Sequence, residues 1–131
     1  MNNSEPSKII VLADNEPFIV RAYKSGLEEA GYMVVVAQDG EEAVKQIMAL
    51  RPDLVLLELI LPVQDGFAVL KAIKADPIVA DIPVIVLTNL SQDSDAKEAL
   101  DAGAAEVLVK TDVSLNDVLL RIERLLTEKP A

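Results

Sequence analysis

The sequence predicts an α/β domain, a doubly wound five-stranded parallel sheet in the order 2-1-3-4-5 with helices on both faces. Five short apolar runs rich in β-branched residues alternate with five segments of helical spacing. Runs of that kind read as strands covered on both faces. Crossovers this long require parallel pairing and right-handed connections. The length of 131 residues allows one buried core and not two, and the stated order is the usual solution at that size.

The elements follow in order. Residues 8–13 form the first strand, and residues 16–30 the first helix, with Phe18, Ile19, Ala22, Tyr23, Leu27 and Ala30 recurring at three and four. Asn15 stands before Glu16-Pro17 as a cap with proline in the first turn. Gly31 closes the helix as a C′ residue, and the second strand spans 32–37. The second helix covers 40–50, with Arg51-Pro52 ending it before the third strand at 53–57. The third helix, 66–75, stops at Asp76-Pro77, and Ile82-Pro83 opens the fourth strand at 82–87. A fourth helix at 93–102 ends on Gly103, the fifth strand is 106–109, and Ser114 caps a last helix reaching 126. Residues 1–7 read as a disordered polar segment and 128–131 as a tail, which leaves 8–127 as the domain.

Composition removes several classes of function. Aromatics are only 3%, so the core must be built from Val, Ile, Leu and Ala. With no cysteine and no histidine there are no disulfides, thiol nucleophiles, Cys/His zinc sites or histidine-based triads. A formal charge of −10 argues against nucleic acid and anionic membranes as partners, since both need clustered Lys and Arg. No apolar run reaches the ~20 residues that span a bilayer, and the N-terminus lacks the apolar stretch of a signal peptide. The expected location is the cytoplasm.

Function in such a sheet collects at the carboxyl ends of the strands, beside the switch point between strands 1 and 3. The residues there are Asp14 after strand 1, Glu58 after strand 3, Thr88 at the end of strand 4 and Lys110 after strand 5. The predicted order makes these four ends neighbours, so the side chains should converge in one shallow pocket. Two carboxylates, a hydroxyl and an ammonium are parts for a hard divalent cation and a phosphoryl group. Singly, Thr88 reads as strand filler and Lys110 as a solvated charge; the joint spacing is what gives them meaning.

The segment from Pro52 to Gly66, with Glu58 after the strand and Pro62-Val63-Gln64-Asp65-Gly66 in the following turn, resembles the receiver domain of bacterial two-component response regulators. Val84 to Thr88 and Ala102-Gly103-Ala104 through Lys110 are similar to that family's switch-threonine and lysine segments. The resemblance covers residues 8–127 and implies the flavodoxin-like receiver fold. It also implies a signalling module with no independent turnover beyond self-phosphorylation from a phosphodonor. A histidine kinase or phosphotransfer protein would supply the phosphate, and a downstream protein would read it. Position 58 would be the phosphoacceptor, with Thr88 and Lys110 holding phosphoryl oxygens. Mg²⁺ would sit on Asp14, residue 58 and the Ile60 backbone carbonyl.

Three departures qualify these expectations. The family accepts phosphate on Asp, whereas position 58 is Glu, whose carboxylate lies one methylene, about 1.5 Å, further out. In-line transfer tolerates much less misplacement, so the site is expected to be impaired, or locked by a carboxylate that imitates part of the phosphorylated state. The family has two adjacent acids after strand 1; here Ala13-Asp14, or in a shifted register Asp14-Asn15, leaves one. Mg²⁺ binding is therefore expected to be weak or absent, and the alternative for Asp14-Asn15 is a helix cap with no metal role. Val107 replaces the usual aromatic switch residue, and Thr111 the proline that commonly follows the lysine.

Met48, Ala49, Leu50, Ala68 and Ala72 on helices 2 and 3, with Met33, Val63, Ile78 and Val79, suggest a surface for a partner or a homodimer if they are contiguous. Receivers more often pair through helix 4, strand 5 and helix 5, where Asp93, Asp95, Lys97, Glu98, Arg121, Glu123 and Arg124 supply charge. The leading expectation is a stand-alone receiver. Its rivals are a non-switching interaction module or an engineered scaffold on the same fold. An enzyme or flavin carrier is disfavoured, because residues 13–17 hold no phosphate loop and position 60 is Ile.

Overall fold

The computed structural model describes residues 7–127, so all but residue 7 of the segment 1–7 expected to be disordered, and the tail 128–131, lie outside the described residues. The observed elements are β1 (Ile9–Ala13), α1 (Pro17–Glu29), β2 (Met33–Ala37), α2 (Gly40–Leu50), β3 (Leu54–Leu57), α3 (Gly66–Ala75), β4 (Val84–Thr88), α4 (Asp93–Asp101), β5 (Glu106–Val109), a 3-10 turn η1 (Lys110–Asp112) and α5 (Leu115–Thr127). The sheet order is β2-β1-β3-β4-β5, all parallel, as the sequence predicts. The largest shift is at β4, which begins at Val84 because Pro83 lacks the N–H of a ladder residue.

Alternation along the central strands divides the core into two layers. Val11, Ala13, Val55, Leu57, Val84 and Val86 face α2, α3 and α4, where Ile47, Leu70, Ile73 and Ala99 complete the packing. Ile10, Leu12, Leu54, Leu56, Ile85 and Leu87 face α1 and α5 and meet Tyr23, Leu27, Val118 and Ile122. β3 and β4 are buried along their whole length, which explains why their sequences are continuously apolar.

Local signals set the helix boundaries. Asp39 and Asp65 accept from the N–H groups of Glu42 and Ala68 at the starts of α2 and α3. Ser114 and Asp117 bond reciprocally ahead of α5. Gly31 and Gly103 take positive φ after α1 and α4, as their C′ positions require. Asn15 is not the cap of α1. With Pro17 opening the helix, Glu16 occupies the cap position without a side-chain bond, and Asp14 accepts its N–H instead.

Of the apolar surface residues expected on the α2–α3 side, Met33, Leu50, Val63 and Ile78 are exposed, whereas Met48 packs on the core. Val79 is buried, contrary to expectation. Residues 77–82 fold beneath Lys74, whose ammonium donates to Ala80 O (2.8 Å) and Ile82 O (3.0 Å), drawing Val79 inward.

Candidate functional site

Four adjacent strand ends build the site. The chain leaves β1 through Asp14, whose N–H donates to Ala37 O (3.0 Å), and leaves β3 through Glu58, whose N–H donates to Ala13 O (2.9 Å). Thr88 ends β4, and Lys110 opens the 3-10 turn after β5. Their side chains converge, but in a buried cluster rather than the shallow pocket the sequence suggests. Asp14, Glu58, Thr88 and Lys110 are only 2%, 5%, 0% and 9% exposed. The longer glutamate reaches across and fills the space between the loops.

The Lys110 ammonium lies 2.6 Å from Glu58 Oε1 and 2.8 Å from Asp14 Oδ2, with Glu16 Oε1 at 3.6 Å on the rim. The other oxygen, Glu58 Oε2, accepts from the N–H of Leu59 (2.7 Å), the N–H of Ile60 (3.1 Å) and the Thr88 hydroxyl. The Thr88 oxygen accepts in turn from Leu90 N–H at 3.2 Å. Asp14 Oδ1 accepts from Glu16 N–H at 2.9 Å. No buried side-chain nitrogen or oxygen among the described residues lacks a partner.

Gly66 permits this loop geometry. A Cβ at that position would lie 2.3 Å from the Glu58 carbonyl oxygen, so β3 and the start of α3 approach more closely than a side chain allows. Burial disfavours the Lys110 ammonium, but its bonds to Asp14 and Glu58 outweigh that and hold its pKa above the ordinary lysine value of 10.5. Glu58 is thus a buried carboxylate held by an ammonium, a hydroxyl and two backbone N–H groups. Such convergent donors form a preorganised oxyanion site.

All four side chains proposed from the sequence therefore meet. Ile60 takes part through its N–H. The donors Leu59 and Ile60 were legible only as positions in a turn, because backbone groups leave no signature in residue type. Glu16, the third carboxylate, could have been found from its place two residues after Asp14. Val107 is half-buried, pairs with Val86 and packs on the core. Thr111 is exposed in the turn after Lys110.

Comparison with known proteins agrees with this architecture. The family model of the response regulator receiver domain matches residues 10–123. The chain is 38% identical over 117 residues to the DNA-binding dual master transcriptional regulator RpaA of Synechocystis, covering 89% of this chain and 48% of that protein. It is 39% identical over 117 residues to a gliding motility regulatory protein of Myxococcus xanthus, covering 88% of this chain and 15% of the relative. The chain thus spans about half the length, or less, of these relatives.

Among solved structures, the BeF3-activated receiver domain of Klebsiella pneumoniae RstA superposes with a TM-score of 0.84 at 28% identity, covering 92% of this chain and 99% of that one. A receiver domain of a Pseudomonas aeruginosa sensor histidine kinase, with magnesium in its active-site cleft, gives 0.86 at 26% identity, covering 94% and 100%. The chain belongs to the response regulator receiver domain family of two-component signalling. Among the described residues no helix is long and apolar enough to cross a membrane.

Receiver domains bind Mg²⁺ at this edge, but the donors here do not suit it. Asp14 and Glu58 are the buried carboxylates present, and Ala13 fills the neighbouring place with a methyl group packed in the core. Each of their carboxylate oxygens already accepts from an ammonium, hydroxyl or N–H donor. No group of three or more potential ligating side chains that could hold a metal occurs among the described residues. A hard cation would have to break these bonds to collect its oxygen ligands.

Proposed function

We propose that this receiver domain signals without phosphorylation, with Glu58 at the acceptor position acting as a built-in substitute for the phosphoryl group. One observation supports the reading above all others. Glu58 Oε2 collects the Thr88 hydroxyl and the N–H groups of Leu59 and Ile60, while Oε1 takes Lys110. In a phosphorylated receiver the same kinds of donor would face the phosphoryl oxygens. Here a carboxylate satisfies them, and the Thr88 hydroxyl donates to it directly.

On this reading Thr88 is the switch hydroxyl, Lys110 the counter-ion, and the domain presents one state to a downstream protein. Asp14 retains its acid without serving a well-formed Mg²⁺ site, so metal binding is weak or absent. A histidine kinase or phosphotransfer protein would remain a docking partner without a productive acceptor. Receiver domains are signalling modules, and independent turnover is not expected of this one.

The test is incubation with Mg²⁺ and a small phosphodonor such as acetyl phosphate, read by intact mass. The wild-type protein should gain no phosphate, and E58D combined with N15D, which places the second acid at the exposed neighbour of Asp14 rather than at core-packed Ala13, should gain a labile one. A phosphate on the wild type that disappears in E58Q would overturn the reading.

A further inference from the structure

We infer that the Lys110 ammonium is itself the resident cation of this site, and that it keeps divalent metal ions out. The inference deepens the proposed function at the same site, and its test is separate. Nζ stands between the two buried carboxylates, 2.8 Å from Asp14 Oδ2 and 2.6 Å from Glu58 Oε1, with Glu16 Oε1 at 3.6 Å. Asp14 and Glu58 carry the charge a divalent ion would first need, and one lysine takes both, with Glu16 at the rim.

The remaining capacity is spent on fixed donors. Asp14 Oδ1 is held by the Glu16 N–H, and Glu58 Oε2 by two N–H groups and the Thr88 hydroxyl. An incoming dication would meet a buried ammonium of its own sign and would have to pull Glu58 from its whole donor set. Ala13 offers no oxygen in return, and its side chain is packed in the core. The lysine is covalently part of η1, so its ammonium stays at the site's effective concentration, unlike an ion drawn from solution. The arrangement thus makes the closed site independent of the supply of divalent ions.

Two measurements test this, with Mg²⁺ and Mn²⁺ chlorides alone as probes. The wild-type protein is melted with and without cation, and its amide resonances are followed on titration. A site with a dissociation constant of about 1 mM would raise the midpoint by roughly 5 °C at about 10 mM cation. No such rise is expected, and no saturable change at the amides of Asp14, Glu58 and Ile60. A saturable Mg²⁺ response at those three amides would overturn the inference. In Lys110→Met the buried Asp14 and Glu58 carboxylates lose their ammonium, and the protein should gain Mn²⁺-dependent stabilisation or fold only when Mn²⁺ is added. A folded variant indifferent to Mn²⁺ would overturn the role given to Lys110. If the variant folds in neither condition, the wild-type titration decides alone. Phosphate uptake by the wild type with EDTA in place of Mg²⁺ would sink the proposed function alone, whereas uptake that needs Mg²⁺ would sink both.

Discussion

Val63 has a φ of 72°, and the flanking Gln64 N–H donates to Pro62 O at 2.8 Å. An i to i+2 bond around a positive-φ residue is a γ-turn of the rare, strained kind, and a β-branched side chain is poorly suited to it. The left-handed region costs an L-residue about 1–2 kcal/mol, whereas glycine enters it freely. Val63 is 77% exposed, so little apolar burial is lost on its removal. V63G, and to a lesser degree V63N, should therefore raise the denaturation midpoint by the equivalent of about 1 kcal/mol, after allowing for the extra chain entropy of glycine. V63A, which keeps a Cβ, should gain little. A midpoint lowered by V63G would show that the turn is not strained. The sequence offered Val63 only as an apolar residue in a polar loop, since backbone torsion is invisible in residue type. The same limit hid the N–H donors of Leu59 and Ile60. Asp14, Glu58, Thr88 and Lys110 were legible because each stands where an apolar run stops and a charge or hydroxyl begins.

The helices were legible from their helical spacing of apolar residues, α1 and α4 included although neither has a side-chain cap. Asp39, Asp65 and Ser114 each cap as their chemistry suggests. Asn15 misled because Pro17 fixes the helix start one residue later and Asp14 takes the free N–H. At α5 the pair is reciprocal: Asp117 N–H donates to Ser114 Oγ at 3.1 Å, and Ser114 N–H donates to Asp117 Oδ2 at 2.9 Å. α5 supplies Val118 and Ile122 to the layer opposite α2 and α3, so its first turn anchors a packed helix. Ser114→Ala should lower stability by about 1 kcal/mol, the usual cost of losing a cap. Ser114→Asn should recover most of that loss in the same urea titration. Equal losses in both variants would show that the Ser114 hydroxyl does not act as a cap.

At the scale of the whole molecule, the parallel order followed from strand length and crossover length, because a sheet buried on both faces leaves a continuous apolar signal. How the charged groups titrate depends instead on burial and proximity, which only the folded chain supplies. With no histidine or cysteine, the side chains offer nothing that ordinarily titrates near neutrality, and Tyr23, Tyr32, Lys74 and Lys110 shape the alkaline limb of the response. Burial raises the pKa of Tyr23 and of Tyr32 above 10.0. At Lys110 the bonds to Asp14 and Glu58 overcome burial and raise the value above 10.5. In all three the folded state holds its proton more tightly than the unfolded chain. Their contribution is complete below the unfolded values and is lost as pH climbs through the folded ones. Lys74 runs the other way. Its burial lowers the pKa below 10.5, so it adds stability as pH rises from that lowered value toward 10.5. Stability should be level or rise slightly up to about pH 10 and then fall, with the three raised groups outnumbering the one lowered. Urea titrations at about pH 9 and about pH 11 check this. In Lys110→Met the alkaline fall should be shallower than in the wild type, although the variant starts from a lower plateau. A wild-type stability that keeps rising through pH 11 would mean that Lys110 is not held as an ammonium between Asp14 and Glu58.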